Sequence, residues 1–418
     1  PSPLKTATPP SIPLRTSPPS PPQVLKKEQQ GTYSRHRRNN GTRTAYNDIL
    51  LNIRKKVLPM PSTYGTIRQN YTLQYYEGSN NVPSFSSSHP TRSDFTIISQ
   101  STFAPHPPLT SSPERLFFLP HLLARWQGSL CCLRLTRSSM SIVIYADASQ
   151  RQDIAKQIAE AAFPSRLRLS LYIHGTSAQP DCVFKPMRSG LRCVARPFYP
   201  INRLRNIAIR GVRTTHFIVF DMDMWPARRN RPRHSRVAHT YRTLMALPSS
   251  YLDNPFIVTI VPAFSISPSL LKHYPCSSFK ECVLRFRSSH CVTIRSIPLM
   301  PATKQQLIQC ANAHNCSVFR PRSRTHVHTP SLSDLQDYIS SSWYKLPPNS
   351  NARYMKCFRQ RFMEPYVMVR NTPDLPLFDE RFIDYGFNKV EWIETLRYLG
   401  YEFYVLSQAF AVDVPHEP

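Results

Sequence analysis

The chain has 418 residues, enough for one large α/β domain with a tail, and 41 prolines against 10 glycines favour the tail. Its formal net charge of +28 draws polyanions: nucleic acid, anionic membranes, acidic glycans or phosphorylated small molecules. The basic residues are scattered rather than gathered in a stripe. With no aromatic-interleaved signature and no helix-turn-helix spacing, a specific nucleic-acid partner is set aside.

In chain order, Pro1 to Pro22 is a Ser/Thr/Pro stretch too poor in apolar residues to offset its own ordering entropy. Residues 1–92 therefore read as a mostly disordered tail or stem, and residues 93–418 as the folded body. A first strand is expected at 95–100 and helical spacing follows over 115–126. Residues 128–140, with Cys131 and Cys132, read as an insertion. A second strand at 141–146, a helix at 150–162 and a third strand at 167–173 then alternate. This order predicts an α/β fold, a mainly parallel twisted sheet flanked by helices. Further on, Ile201, Leu204 and Ile207 or Ala208 recur at helical spacing, with the helix ending near Gly211. A buried strand at 215–220 then delivers Asp221-Met-Asp-Met-Trp-Pro226 at its C-terminal end, where open α/β sheets gather their ligands.

Five of the ten cysteines (Cys276, Cys282, Cys291, Cys310 and Cys316) lie close together, which suits local disulfides in an oxidising lumen. A zinc site is the rival, since His290, His314, His326 and His328 are interspersed, but no CxxC pair is present. Asn40-Gly-Thr, Asn70-Tyr-Thr and Asn315-Cys-Ser are glycosylation patterns that agree with a lumenal address. No run of about 18 apolar residues occurs. The chain begins at Pro1 rather than methionine, so a membrane anchor is expected upstream.

Two carboxylates one residue apart after an apolar strand can converge on a hard cation, Mn²⁺ or Mg²⁺, if the backbone bends there. Such a cation neutralises the charge that develops as a nucleotide-sugar loses its diphosphate. The bland alternative is a solvated strand end. Asn202, Arg205 and Asn206 are either an exposed helix face or a donor-reading set, an Arg fork for phosphate or uronate and amides for uracil or ribose edges. Asp379, Glu380, Asp384, Asn388 and Lys389 form a polar cluster leading into a helix with Val390, Ile393, Leu396 and Leu399 on its apolar face. Gly400 ends that helix, and Asn388 is expected to be its N-cap.

At these residues the chain resembles glycosyltransferase family 49, the LARGE-type xylosyl/glucuronyltransferases and their β-1,4-glucuronyltransferase relatives. The resemblance is carried by five ordered stretches. They are Tyr199-Pro-Ile-Asn-Arg-Leu-Arg-Asn-Ile-Ala208, His216-Phe-Ile-Val-Phe-Asp-Met-Asp-Met-Trp-Pro226, Phe362-Met-Glu-Pro-Tyr-Val-Met-Val369, Leu377-Phe-Asp-Glu-Arg-Phe-Ile-Asp-Tyr-Gly-Phe-Asn-Lys-Val390, and the segment from Tyr401 to His416. It implies a GT-A fold, an inverting Mn²⁺-dependent mechanism, a UDP-sugar donor, a glycan or glycoprotein acceptor, and Golgi residence as a type II membrane protein. Asp221, Asp223 and His416 are the implied metal ligands. Asn202, Arg205, Asn206, Asp221, Gly386, Asn388 and Lys389 match positions expected near the bound substrates. For the general base, Asp384 is the first choice, beside Gly386, with Asp379 and Glu380 as alternatives.

One departure stands out: residues 227–236 are strongly basic and broken by Pro232. This stretch is a loop for an acidic acceptor, a solvated insertion or a misread segment. Glucuronate and N-acetylglucosamine both remain open as the donor sugar. Two other classes stand beside the enzyme: a GT-A-like binding module without turnover, and a basic polyanion-binding protein.

Overall fold

The computed structural model describes residues 67–69, 71–77, 93–103, 139–154, 166–175, 181–187, 190–196, 198–227, 239–267, 300–319, 341–348, 350–358, 363–384 and 386–414. Its strands in chain order are β1 (Ile67–Arg68), β2 (Tyr71–Glu77), β3 (Phe95–Thr102), β4 (Ser139–Asp147), β5 (Leu167–His174), β6 (Cys182–Met187), β7 (Gly190–Ala195), β8 (His216–Val219), β9 (Met224–Pro226), β10 (Ile257–Val261), β11 (Ala263–Ile266), β12 (Cys316–Val318), β13 (Ala352–Met355), β14 (Tyr366–Arg370), β15 (Glu402–Leu406) and β16 (Ala411–Asp413). The helices are α1 (Ile201–Arg210), α2 (His239–Met245), α3 (Ser249–Leu252), α4 (Lys304–Asn312), α5 (Ser341–Tyr344) and α6 (Asn388–Tyr398).

One large sheet has the order β13-β15-β10-β14-β8-β3-β4-β5-β2. Its block β5-β4-β3-β8 is parallel throughout, while β14 and β2 flank that block antiparallel. The chain steps from β3 to β4 to β5 in one direction, then crosses back through α1 to lay β8 on the other side of β3. The strand order therefore reverses between β3 and β8. A crevice opens at the carboxyl ends of the strands at such a point. Nearly continuous apolar strands fit this position, since a parallel sheet is covered on both faces. Phe95, Ile97, Ile142, Phe217 and Ile218 are all fully buried.

Helix α1 packs against β3 and β4 through Leu204, Ile207 and Ala208, the expected apolar face. Gly211 ends it, and a Cβ there would meet Ser141 Oγ at 2.5 Å. A glycine is thus required for the helix end to approach the sheet this closely. The Ser141 hydroxyl donates to the Ala208 carbonyl at 2.8 Å, locking the contact.

A smaller four-stranded sheet, β12-β11-β16-β9, carries the residues just after the Asp221 turn and those near the end of the chain. A third sheet, β1-β6-β7, is closed by a disulfide between Cys182 and Cys193.

Several expectations are met. The three early strands fall where the sequence put them, each extended by a residue or more, and residues 151–154 are helical within the expected 150–162. One boundary is corrected. The body begins no later than Ile67, not at residue 93, because β1 pairs with β6 and β2 pairs along the edge of β5. That edge is held by Tyr71 stacked on Tyr172 at 4.2 Å, and by Gln69, which accepts from the Tyr172 hydroxyl at 2.7 Å. A short strand ahead of a Pro/Ser-rich stretch gives little periodicity to read. The helix expected at 115–126, most of the insertion at 128–140 and the basic residues 228–236 lie outside the described residues; Ser139 and Met140 belong to β4.

Candidate active site

Asp221 lies two residues past the end of β8, and the amide of Met224 donates back to its carbonyl at 3.0 Å, the bend expected of the chain there. Its carboxylate is surrounded by donors. Oδ2 accepts from the Tyr366 hydroxyl at 2.8 Å and from Lys389 Nζ at 2.9 Å, while Oδ1 faces Gln100 Nε2 at 3.4 Å and Arg205 Nη2 at 3.6 Å. Gln100 lies on β3 and Asp221 follows β8, so this contact straddles the point where the strand order reverses. Asp223 is buried at 4% exposure. Its backbone carbonyl accepts from the amide of Val414 at 3.1 Å, and β16 pairs with β9 with Asp413 opposite Met224. Asp413 and Val414 thus run beside the turn, ahead of His416, which lies outside the described residues.

The donor set suits a hard cation: two carboxylates from one turn supply oxygen ligands of the kind Mn²⁺ and Mg²⁺ prefer. Lys389 and Arg205 already oppose the charge of Asp221. Among the described residues no group of three or more His, Cys, Asp or Glu forms a metal cluster.

The polar residues of α1 are not an exposed face. Asn202, Arg205 and Asn206 are 0%, 2% and 1% exposed, and they brace the segment 378–388 from below. Asn206 pairs with both backbone groups of Phe378, donating to its carbonyl at 2.8 Å and accepting from its amide at 2.9 Å. Asn202 donates to the Asp379 carbonyl at 2.8 Å. Arg205 donates to Asn202 Oδ1 at 3.0 Å and to Asn388 Oδ1 at 2.8 Å, and its guanidinium lies 5.2 Å from the Phe378 ring centre. Buried amides must be hydrogen-bonded, and here the backbone of Phe378 and Asp379 supplies partners to both Asn202 and Asn206. Of the three, Arg205 alone reaches Asp221.

Asn388 is not the N-cap of α6. That position is Phe387, in the left-handed region at φ 53°, and Asn388 is the first helical residue. Its side chain is recruited by Arg205 and by the Asp384 carbonyl at 3.2 Å, leaving none of it for the helix start. The apolar face and the end of α6 are as expected, and Trp392 joins the face. Gly400, at φ +80°, closes it: the Gly400 amide donates to Arg397 and the Tyr401 amide to Leu396.

The three candidate bases are all engaged. Burial alone would raise the Asp379 carboxyl, but hydrogen bonds from Arg381 hold it below the usual carboxylate range. Glu380 pairs with Arg203 Nε at 2.9 Å and accepts from Asn206 at 3.1 Å. Asp384, at φ 59°, accepts from the Tyr199 amide at 2.7 Å through Oδ1, and its amide donates back to the Tyr199 carbonyl at 2.8 Å. Its Oδ2 meets only the partly exposed Arg196, at 3.2 Å, among the pairs the structure gives it. Beside it Gly386 adopts φ +117°, and a Cβ there would meet nothing within 4 Å, so the space next to this loop is open.

Gln100 and Tyr366 were not picked out from the sequence. Tyr366 sits inside one of the matching stretches, and Gln100 lies near the carboxyl end of β3, a strand adjoining the reversal point; that position is the signal that could have found it.

The fold is that of the GT-A glycosyltransferase class. The chain belongs to glycosyltransferase family 49: the family described as "Glycosyl-transferase for dystroglycan" matches residues 109–414. It is 27% identical over 308 residues to the xylosyl- and glucuronyltransferase LARGE1 of Homo sapiens, covering 73% of this chain and 30% of that protein. It is 24% identical over 308 residues to LARGE2s of Danio rerio, covering 73% of this chain and 31% of that protein. The chain therefore spans about a third of the length of these relatives. Among solved structures, GalNAc-T7 with UDP, GalNAc and Mn²⁺ matches at a TM-score of 0.37 and 8% identity over 78% of this chain and 45% of that one, which at that score says nothing further.

Proposed function

We propose that the chain transfers a sugar of the glucuronate or N-acetylglucosamine type from a UDP-sugar to a glycan or glycoprotein acceptor, with inversion. The observation that carries this reading is the Asp221–Asp223 turn at the carboxyl ends of the parallel strands, with Asp413 and Val414 alongside. Asp221, Asp223 and His416 would hold Mn²⁺ or Mg²⁺, which when bound offsets charge on the departing diphosphate. Lys389 and Arg205 hold the Asp221 carboxylate in place and add positive charge beside the donor. Asp384 is the base we favour for the acceptor hydroxyl, since its side chain stays 38% exposed, while Asp379 is held by Arg381 and Glu380 by Arg203. The name of the relatives supports a uronate among the donors, and an acidic acceptor suits the net charge of +28.

A Golgi lumenal address, with a membrane anchor upstream, is part of this proposal. Two disulfides, Cys182–Cys193 and Cys310–Cys316, support an oxidising compartment. No described helix is long and apolar enough to cross a membrane.

One observation favours a second reading. Both oxygens of Asp221 already face cationic donors, as in a module that binds nucleotide-sugar without turning it over. UDP release, screened with Mn²⁺ across UDP-glucuronate, UDP-xylose and UDP-N-acetylglucosamine, separates the two. The enzyme releases UDP from one donor, whereas the module binds a donor and releases none. A plain polyanion binder does neither and is retained on heparin in a steeply salt-dependent way.

A further inference from the structure

Of the three glycosylation patterns, only Asn315-Cys-Ser falls wholly within the described residues. Its asparagine stands in the turn that joins α4 to β12, directly after His314, which is in the left-handed region at φ 56°. The backbone there is tied down: the Asn315 amide donates to the Cys310 carbonyl at 3.0 Å, and the Asn315 carbonyl accepts from the Ser267 amide at 2.8 Å. Cys316, the middle residue of the pattern, is buried and disulfide-bonded to Cys310. The two side chains that an N-glycan requires are not committed in this way. Among the described residues no hydrogen bond engages the side chain of Asn315 or of Ser317. Ser317 is exposed and Asn315 partly so, and Asn312, Ala313 and His314 ahead of them are exposed as well. A matched amide and hydroxyl that the fold leaves unused, on an outward turn, fit a site of modification.

We infer that Asn315 carries an N-glycan, attached before the Cys310–Cys316 disulfide closes. This rests on the lumenal address proposed above and adds to it a modified residue. In the transfer the Asn315 side-chain nitrogen bonds to the anomeric carbon of an oligosaccharide carried on a lipid diphosphate. The bond from that carbon to the phosphate oxygen breaks, the lipid diphosphate leaves and the amide gives up one proton. The transferring enzyme has to take the three residues up as a free segment. In the folded chain they are held in a turn by the disulfide loop, by the left-handed His314 and by the pairing of Ser317 with Ser265 on β11. Disulfide and glycan therefore compete for the same segment, and the order of the two events sets how much glycan is attached. Strand β12 lies at one edge of its four-stranded sheet and β9, which follows the acidic turn, at the other. A glycan at Asn315 would thus shield a strand edge from pairing with another chain while standing apart from the donor site.

The test expresses the whole chain behind a cleavable secretion signal, with Asn40→Gln and Asn70→Gln so that one pattern remains. Digestion with a peptide-N-glycosidase, followed by peptide mass spectrometry, reads residue 315 as glycan-bearing or bare. This parent should carry the glycan on a fraction of its molecules. Asn315→Gln and Ser317→Ala should each abolish the digestion-sensitive gel shift completely. Cys310→Ser keeps the three-residue pattern intact but releases it from the loop, and should raise occupancy toward completion. Occupancy is read in cell extracts, so a variant that fails to fold or to leave the cell still reports. An Asn315 that is bare in both the parent and Cys310→Ser overturns the inference, as does equal occupancy in the two. Because the added signal fixes the compartment, a bare Asn315 counts against this site and not against the natural address. A glycan-bearing chain that never releases UDP leaves the site standing and removes the proposed activity instead.

Discussion

At the residue scale the centre of the site is an ion-pair cluster. Asp221 sits between a lysine at 2.9 Å and an arginine at 3.6 Å, the arginine only 2% exposed. Lys389→Met keeps most of the packing over the Tyr366 ring and removes one positive charge. It should tighten Mn²⁺ by about ten-fold, because the cation no longer competes with an ammonium for Asp221. It should also lower kcat by about a hundred-fold through loss of a preorganised charge beside the donor. Isothermal titration and donor turnover measure the two separately. His216 tests the packing below the site. It is 2% exposed, its Nε2 lies 2.9 Å from the Leu252 carbonyl, and burial lowers its pKa to about 4. Between pH 6.5 and 4 the unfolded chain binds the proton more readily than the folded one. The stability held above pH 6.5 should therefore drain away as pH falls toward 4, by about 3 kcal/mol from this residue. Denaturant midpoints across that range should show the slope, and His216→Gln should flatten it.

At the scale of elements, the path from α1 through β8 to the Asp221 turn was legible before any coordinates. Ile201, Leu204 and Ala208 mark a helix, Phe217 and Ile218 mark a buried strand, and an acidic pair follows. Periodicity reports burial on one face, and here the faces are simple. It could not report the roles of Asn202 and Asn206, because a polar side chain turned to solvent and one gripping a buried backbone look alike in sequence. Asn388 misled for a related reason: asparagine at a helix start usually caps it, but here Arg205, 183 residues distant in sequence, outcompetes the helix for its amide. Nor does any short-range signal reveal that β14 lies antiparallel beside β8, since pairing partners are set by the whole sheet. The close approach of α1 to β4 gives a direct test. Gly211→Ala forces a methyl group against Ser141 Oγ, and should cost about 1–3 kcal/mol in the chemical unfolding midpoint. Ser141→Gly in the same chain should recover part of it.

At the scale of the whole molecule, the family is carried by matches over residues 109–414, and the sheet order explains why those segments must come together. Strands from early in the chain, the turn after β8 and the segment leading to the chain end meet at one edge of the crevice. The cluster of late cysteines did signal disulfide chemistry, and Cys310 joins Cys316. The Cys182–Cys193 link escaped notice because its partners pair across a hairpin whose strands carry little periodicity. The central claim is that the acidic turn is a cation-dependent donor site. It is tested most directly by Mn²⁺-stimulated UDP release from the wild type and from Asp223→Asn, with circular dichroism confirming that both are folded. We predict stimulation in the wild type and a loss of at least about a hundred-fold in the variant. A folded Asp223→Asn that releases UDP at the wild-type rate, with the same response to Mn²⁺, would contradict the account.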